Sequence, residues 1–260
     1  MPKTAASERY RIAYLDIETA PNLGYVWQMY EQNVIAFEHE WYILSFSVKW
    51  EGSPKVETYC LPDYKGYYSV NPDDDFMLVK ELHRVLDEAD LVVWHNGDKF
   101  DKRKINARFI YHGMSPPSPY GSYDTLKQAR KVAAFNSNKL NDLAQHFGLG
   151  KKAKHNGVET WLGCLKGDPV AWKTMARYNA KDVVLLEKVY KRLRPWGPHP
   201  DVTYKQVTKK PKCPACGSTK VEKRGWRPAL TYRSRSYHCL SCGKYSQGER
   251  EKIPGAQRLR

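Results

Sequence analysis

Two acids stand two residues apart in Leu15-Asp16-Ile17-Glu18-Thr19, at the end of the β-rich run Arg11–Glu18. On a strand that spacing sends both carboxylates out of one face and turns Leu15 and Ile17 into a core. Paired acids ending an apolar strand are costly unless something neutralises them, and a divalent cation does so directly. A solvent-facing strand edge would instead make them harmless. A third acid, Asp101, follows the short apolar run Leu91–Trp94 in His95-Asn96-Gly97-Asp98-Lys99-Phe100-Asp101. Asn96-Gly97 is a turn signal, so Asp101 falls near a helix N-terminus at the carboxyl end of a strand, where α/β folds place ligands. The alternative is an acid that only complements the helix dipole. Asp98 reads as solvent-facing, and Phe100 as a core residue that fixes Asp101. Tyr178 and Asp182, four apart, share one helix face. The apolar residues after Asp182 pack that helix, so Asp182 either points inward among the other acids or lies exposed.

A second group is built from sulfur. Four of the six cysteines form two knuckles, Cys213-Pro214-Ala215-Cys216-Gly217 and Cys239-Leu240-Ser241-Cys242-Gly243, with 22 residues between them. Two-residue spacing lets both thiolates of a knuckle reach one ion, and the glycine after each pair permits the tight turn. Four thiolates close a tetrahedral shell, which predicts a structural zinc ribbon rather than a redox pair. His238 is a substitute ligand that four cysteines make unnecessary, and Cys60 and Cys164 read as ordinary buried thiols. Between the knuckles, Lys220, Lys223, Arg224, Trp226, Arg227, Tyr232, Arg233, Arg235 and Tyr237 interleave cations with aromatics. That mixture suits contact with a nucleic-acid backbone plus base stacking; a protein-binding ribbon is the competing reading.

The chain that positions these groups has 260 residues, with 41% hydrophobic and 13% aromatic content, enough to bury a core. It carries a formal net charge of +15. From Lys205 to Arg260 there are 15 Lys+Arg against 3 Asp+Glu, so +12 of that charge lies in the last part. Such a block points to an anionic partner, most often nucleic acid, or to a solvated tail. No run approaches the roughly 18 apolar residues of a membrane span, and the N-terminus lacks the core of a signal peptide, which predicts a cytoplasmic protein. Pro195, Pro198 and Pro200 break regular structure and mark a linker over 195–212, between a body over 8–194 and a ribbon over 213–248 with a basic tail over 249–260.

Within the body, strands are expected at Arg11–Glu18, Trp41–Trp50, Lys55–Leu61, Leu91–Trp94 and a short one near Ser122–Thr125. Helices are expected at about 74–88, 100–111, 125–134, 138–147 and 168–192. Three early strands followed by alternating helix and strand predict an α/β domain with an RNase H-like mixed sheet flanked by helices.

In this order the acidic motifs resemble the DEDD 3′–5′ exonucleases of the RNase H-like superfamily, over roughly residues 10–193. The first motif is Leu15-Asp16-Ile17-Glu18-Thr19, and the second runs from His95-Asn96 to Phe100-Asp101. The third, Tyr178 to Asp182, is that of the tyrosine branch; Arg177 stands where the histidine branch has its histidine. The resemblance implies that Asp16, Glu18, Asp101 and Asp182 ligate two Mg²⁺ or Mn²⁺ ions, a number of carboxylates that suits two-metal phosphodiester hydrolysis. It further implies that Tyr178 positions the attacking water, since an unperturbed phenol with a pKa of about 10 is a poor base. Asp124 resembles a supporting acid of these nucleases. Asn96 is expected at the terminal nucleotide. Trp27 and Tyr30, just after the first motif, either stack a base or cap the sheet.

The expected function is a metal-dependent 3′–5′ exonuclease with DNA favoured over RNA, single-stranded ends in particular, aided by a ribbon that grips substrate. The alternatives are an inactive nucleic-acid-binding adaptor, an RNA exonuclease or a structure-specific endonuclease. With no polymerase domain in the sequence, proofreading would need a replication or repair partner; a phage or bacterial repair setting fits a compact nuclease of this kind.

Overall fold

A computed structural model describes residues 11–30, 33–153, 156–197, 211–229 and 231–255. In chain order the first elements are β1 (Ile12–Thr19), β2 (Leu23–Tyr25), β3 (Ala36–His39), β4 (Ile43–Trp50), β5 (Val56–Cys60), α1 (Lys65–Tyr68), α2 (Phe76–Glu88) and β6 (Leu91–Trp94). There follow α3 (Asp101–Tyr111), β7 (Gly121–Asp124), α4 (Thr125–Val132), α5 (Leu140–His146), α6 (Val158–Leu165) and α7 (Pro169–Leu193). Last come β8 (Val221–Pro228), β9 (Tyr232–Cys239) and β10 (Tyr245–Lys252). The chain divides into two compact units, of which Arg11–Tyr190 is the larger and the smaller carries β8 to β10.

The larger unit is a five-stranded sheet in the order β5-β4-β1-β6-β7. β4 is antiparallel to β1 and to β5, whereas β6 is parallel to β1 and β7 parallel to β6. The parallel half is the α/β part: α2 leads into β6, and α3 crosses from β6 to β7. A strand buried on both faces reads as a continuous apolar run, as Leu91-Val92-Val93-Trp94 does.

Alternation along β1 sorts its side chains between two helical layers. Ala13, Leu15 and Ile17 join Phe46, Val92 and Trp94 in a core closed by Leu78, Val79, Leu82 and Val85 of α2 and by Ile105 and Phe109 of α3. Tyr14 points the other way and meets Tyr190 of α7 edge-on, with centroids 5.5 Å apart; Tyr190 also meets Tyr123 of β7 at 4.9 Å. Asp16 and Glu18 share the parity of Tyr14 and therefore face α7. The β1–β4 register shifts between Glu18, opposite Ser45, and Thr19, opposite Ile43, so the ladder is irregular just after the second acid.

A buried ion cluster fastens α3 to the sheet. Asp75 is fully buried, and its carboxylate accepts from Ile43 N–H at 2.8 Å, from Arg108 Nη2 at 2.7 Å and from His112 Nε2 at 2.6 Å. Every acceptor site is used, which is what makes a buried carboxylate tolerable.

The sequence-based expectation of a mixed sheet with flanking helices holds. The β2–β3 hairpin and α6 were not anticipated. The hairpin is exposed throughout, so no burial pattern betrays it. Of the expected linker over 195–212, Arg194–Trp196 forms a 3₁₀ turn, and 198–210 lie outside the described residues. Of the expected tail over 249–260, residues up to Lys252 belong to β10, and 256–260 lie outside the described residues. Among the described residues, no helix is long and apolar enough to cross a membrane.

The smaller unit is an antiparallel sheet in the order β10-β9-β8. Its buried cluster consists of Cys213, Ala215 and Cys239, with Cys216, Val221 and Cys242 packed around them. So small an apolar core cannot offset the entropy of ordering three strands.

Candidate active site and cysteine centre

The carboxylates of Asp16, Glu18 and Asp182 converge, with ligand oxygens all within 4.8 Å of one another. Two come from the end of β1, and the third is delivered by α7, whose face toward the sheet carries Met175, Tyr178, Asn179, Asp182, Val183 and Leu186 at helical spacing. Asn179, fully buried one residue past Tyr178, donates from Nδ2 to Asp16 Oδ2 at 2.6 Å and to Asp16 O at 3.2 Å. It thus ties α7 to β1 and fixes the orientation of one acid. Asp101, the first residue of α3, stands just outside the trio. Its Oδ1 accepts from Ile17 N–H at 3.2 Å, between the two acids of β1.

Burial and mutual repulsion hold these acids far from their ordinary titration range. Asp16 is pushed well up by burial, then by Glu18, Asp101 and Asp182, with Lys152 opposing. Burial, then Asp182, raises Glu18 to about 8. Asp101 rises to about 7 through burial, although the N–H of Ile17 lowers it. Carboxylates with this much unmet demand for positive charge are the donor set that divalent cations fit.

Lys152 already supplies one positive charge. Its ammonium donates to Asp182 Oδ2 at 2.5 Å and to the Tyr178 hydroxyl at 2.9 Å. Burial disfavours its charge, but Asp182 and Tyr178 outweigh that and its pKa is raised. Tyr178 is itself raised to about 12, by burial first and then by Asp182. The phenol therefore keeps its proton at neutral pH.

The loop after β6 is shaped around Trp94 and Asp124. Asn96 adopts φ 65°, and a Cβ on Gly97 would lie 2.1 Å from the Trp94 ring, so only glycine allows this approach. Asp124 ends β7 and caps α4 by accepting from Leu126 N–H and Lys127 N–H. It also accepts from Asn96 N–H at 3.0 Å and Asp98 N–H at 3.3 Å, and so holds the loop that precedes Asp101. Beside the acids, Thr19, Pro21, Asn22, Trp41, Lys104 and Trp161 line a cleft of about 340 Å³. Lys104 donates to Thr19 Oγ1 at 3.2 Å and lies 3.8 Å from the Trp41 ring centroid.

In the smaller unit, Cys213, Cys216, Cys239 and Cys242 bring their sulfurs within 4.8 Å of one another. The pairs Cys213–Cys242 and Cys216–Cys239 are each 3.6 Å apart. Metal–sulfur bonds of about 2.3 Å in a tetrahedron require sulfurs roughly 3.8 Å apart, so the set is of the right size for zinc. The knuckles match bond for bond. Gly217 N–H donates to Cys213 O at 2.8 Å with φ 72°, and Gly243 N–H donates to Cys239 O at 2.9 Å with φ 75°.

A family model described as RNase_H superfamily matches residues 13–194. The chain belongs to the RNase H superfamily. Among solved structures it is similar to the family B DNA polymerase from the hyperthermophilic archaeon Pyrobaculum calidifontis, with 17% identity and a TM-score of 0.51. That match covers 72% of this chain and 25% of the polymerase, so the chain spans about a quarter of that protein's length. No curated protein matches the sequence.

Against this RNase H frame, three readings of single residues need correction. Phe100 is 41% exposed and does not pack into the core; Ile105 and Phe109 do, one turn and two turns further along α3. Asp98 is not solvent-facing: Ser122 donates to its Oδ1, and Lys127 Nζ donates to its Oδ2 at 2.6 Å. Trp27 and Tyr30 are 80% and 90% exposed on the hairpin side of β2 and do not cap the sheet. Two site residues escaped the sequence. Lys152 sits in a stretch with no periodicity, where nothing marks it out. Asn179 left a trace, being a polar residue in register with the buried face of α7.

Proposed function

We propose that the chain is a metal-dependent 3′–5′ exonuclease of the tyrosine DEDD branch, acting on single-stranded DNA ends. The convergence of Asp16, Glu18 and Asp182 at the carboxyl end of the parallel strands, with Asp101 beside them, carries this reading. Membership of the RNase H superfamily supports nuclease chemistry there, and the fold shared with a DNA polymerase favours DNA. Asp16, Glu18, Asp101 and Asp182 would hold two Mg²⁺ or Mn²⁺ ions. When bound, these would neutralise the phosphoryl group and lower the pKa of the attacking water.

The remaining work falls to the chain's own side chains. Asn179 keeps Asp16 oriented toward the other acids. Tyr178, protonated and held by Lys152, orients water by hydrogen bonding rather than by taking its proton. The cleft floored by Thr19 and walled by Trp41 and Trp161 accepts the terminal nucleotide, with Lys104 near its phosphate. Asn96 and the exposed Trp27 extend contacts along the strand. Asp124 acts at one remove, through the loop it holds. In the smaller unit the four cysteines bind one structural Zn²⁺, and the basic residues between them contact nucleic acid.

End-labelled single- and double-stranded DNA and RNA, incubated with the protein with and without Mg²⁺ or Mn²⁺, test the assignment. Stepwise shortening of 3′ ends of single-stranded DNA, dependent on the metal, is expected. Internal cuts would make it an endonuclease, preference for RNA would change the substrate, and no cleavage of any substrate would leave an adaptor.

A further inference from the structure

The sequence suggests base stacking for the aromatics of the cysteine-bearing unit, but Trp226 and Tyr237 are already engaged there. Trp226 on β8 stands directly across from Arg235 on β9, and Arg233 lies two residues along the same face of β9. The guanidinium carbons of Arg235 and Arg233 lie 3.8 and 4.1 Å from the Trp226 ring centroid. Tyr237, next along that face, lies against Gly248 of β10, where a Cβ would fall 2.9 Å from its ring. The indole therefore serves as a mount for two cations, and the phenol is packed across a bare stretch of strand.

Two like charges sharing one ring are no more than 7.9 Å apart. Their repulsion is offset in part by the ring quadrupole. One carboxylate also helps: Arg233 Nε lies 3.3 Å from Glu251 Oε2. Among the described residues Arg235 has no carboxylate partner. A guanidinium pair fixed in this way is short of negative charge, and the regularly spaced phosphates of a nucleic-acid strand supply it. Guanidinium forks match phosphate oxygens in pairs.

We propose that this unit grips a nucleic-acid strand by its phosphates, through Arg233 and Arg235 mounted on Trp226, and that the indole does not stack on a base. The proposal rests on the nuclease reading for its substrate class and adds the mode of grip. Binding by this face is then indifferent to base identity, as an exonuclease that advances along any sequence requires.

The test uses the full chain, loaded with zinc and without Mg²⁺ or Mn²⁺, and fluorescence anisotropy across a salt series. The probes are a labelled oligodeoxythymidylate and an abasic oligomer of the same length. Arg235→Gln is expected to weaken binding to both by the same factor, about tenfold, and to lower the log–log salt slope by about 0.7. Trp226→Leu is expected to weaken both equally, because the guanidiniums lose their mount. Zinc content establishes that each variant keeps its fold; should Trp226→Leu lose zinc, Arg235→Gln decides alone. If Trp226→Leu weakens the base-bearing oligomer and spares the abasic one, the indole stacks on a base and the proposal fails. It also fails if Arg235→Gln changes neither affinity nor slope, in which case the face is better suited to a protein. Binding is read on uncleaved oligomers, so an inactive carboxylate site leaves the result intact. A failed grip, in turn, leaves the hydrolysis assay of the unaltered protein to stand by itself.

Discussion

Lys152 and Asp182 form an ion pair inside the acid cluster, 30 residues apart in sequence and 2.5 Å apart at Nζ and Oδ2. The same ammonium holds the Tyr178 hydroxyl at 2.9 Å. Removing it takes one hydrogen bond from the phenol and one positive charge from beside Asp182. Lys152→Met is expected to lower turnover about 10–100-fold, as loss of a group that orients a metal-site residue does. Substrate affinity should change little. Single-turnover rates at saturating DNA check this; a normal rate would show that Lys152 only balances charge.

Asp16 is held well above its ordinary titration range by burial and by three neighbouring acids. Asp16→Asn keeps an oxygen for Asn179 but removes the charge. Hydrolysis should fall by more than about a hundredfold. The protein without divalent cation should become more stable, its Tm rising by about 2–4 °C for each kcal/mol of repulsion relieved. A thermal melt that drops instead would mean that Asp16 is a structural acid, paired in a way that the amide cannot replace.

The pH dependence has a definite sign. Glu18 titrates at about 8 and Asp101 at about 7 in the folded chain, against 4.5 and 3.8 ordinarily. Their raised values favour the folded state below the ordinary range, and that stability is lost as pH rises through 7 and 8. His95 acts oppositely. Burial lowers it from 6.5 to about 4, so its contribution is lost as pH falls below 6.5. Within the Arg11–Tyr190 unit the raised acids set the slope between pH 6.5 and 8; in the smaller unit Cys239, lowered to about 7, acts oppositely, so the midpoint is read on the larger unit. Urea midpoints without Mg²⁺ should decline across that interval, and saturating Mg²⁺ should flatten the decline. A flat profile in both conditions would contradict the clustering of these charges.

How far the sequence revealed this site depended on periodicity. The buried runs Leu91–Trp94 and the α7 face carry their own pattern, and every acid located by the resemblance lies on or directly after such an element. Asp101 follows β6 across a turn that Asn96-Gly97 announces. Lys152 was illegible because it approaches the acids from an irregular segment, where reach and not register decides position. The surroundings of Trp226 were illegible for another reason. Composition shows cations and aromatics together, but only strand pairing shows that the ring is covered by the cations of its neighbour.

The two units differ in what holds them. The larger has an apolar core, whereas the smaller has a few residues around its sulfurs. Truncation after Gly197 should leave the Arg11–Tyr190 unit with an unchanged melt. Cys213→Ser with Cys216→Ser should abolish zinc binding and the dispersion of the Trp226 indole resonance while sparing that melt. Both changes should weaken DNA binding and flatten its salt dependence. A truncated protein that binds with the original affinity and slope would show that the basic unit does not contact DNA.

The acids that must meet are spread from residue 16 to residue 182, and the last arrives on the longest helix of the fold. A growing chain therefore carries its first two acids through most of its synthesis with nothing to complete the cluster. Until α7 has been made and Asn179 can donate to Asp16, the acid cluster stays incomplete. Long-range assembly, usually counted as a handicap in folding speed, here ties completion of the acid cluster to completion of the domain. The cluster of acids comes into being only when the body that carries it is finished.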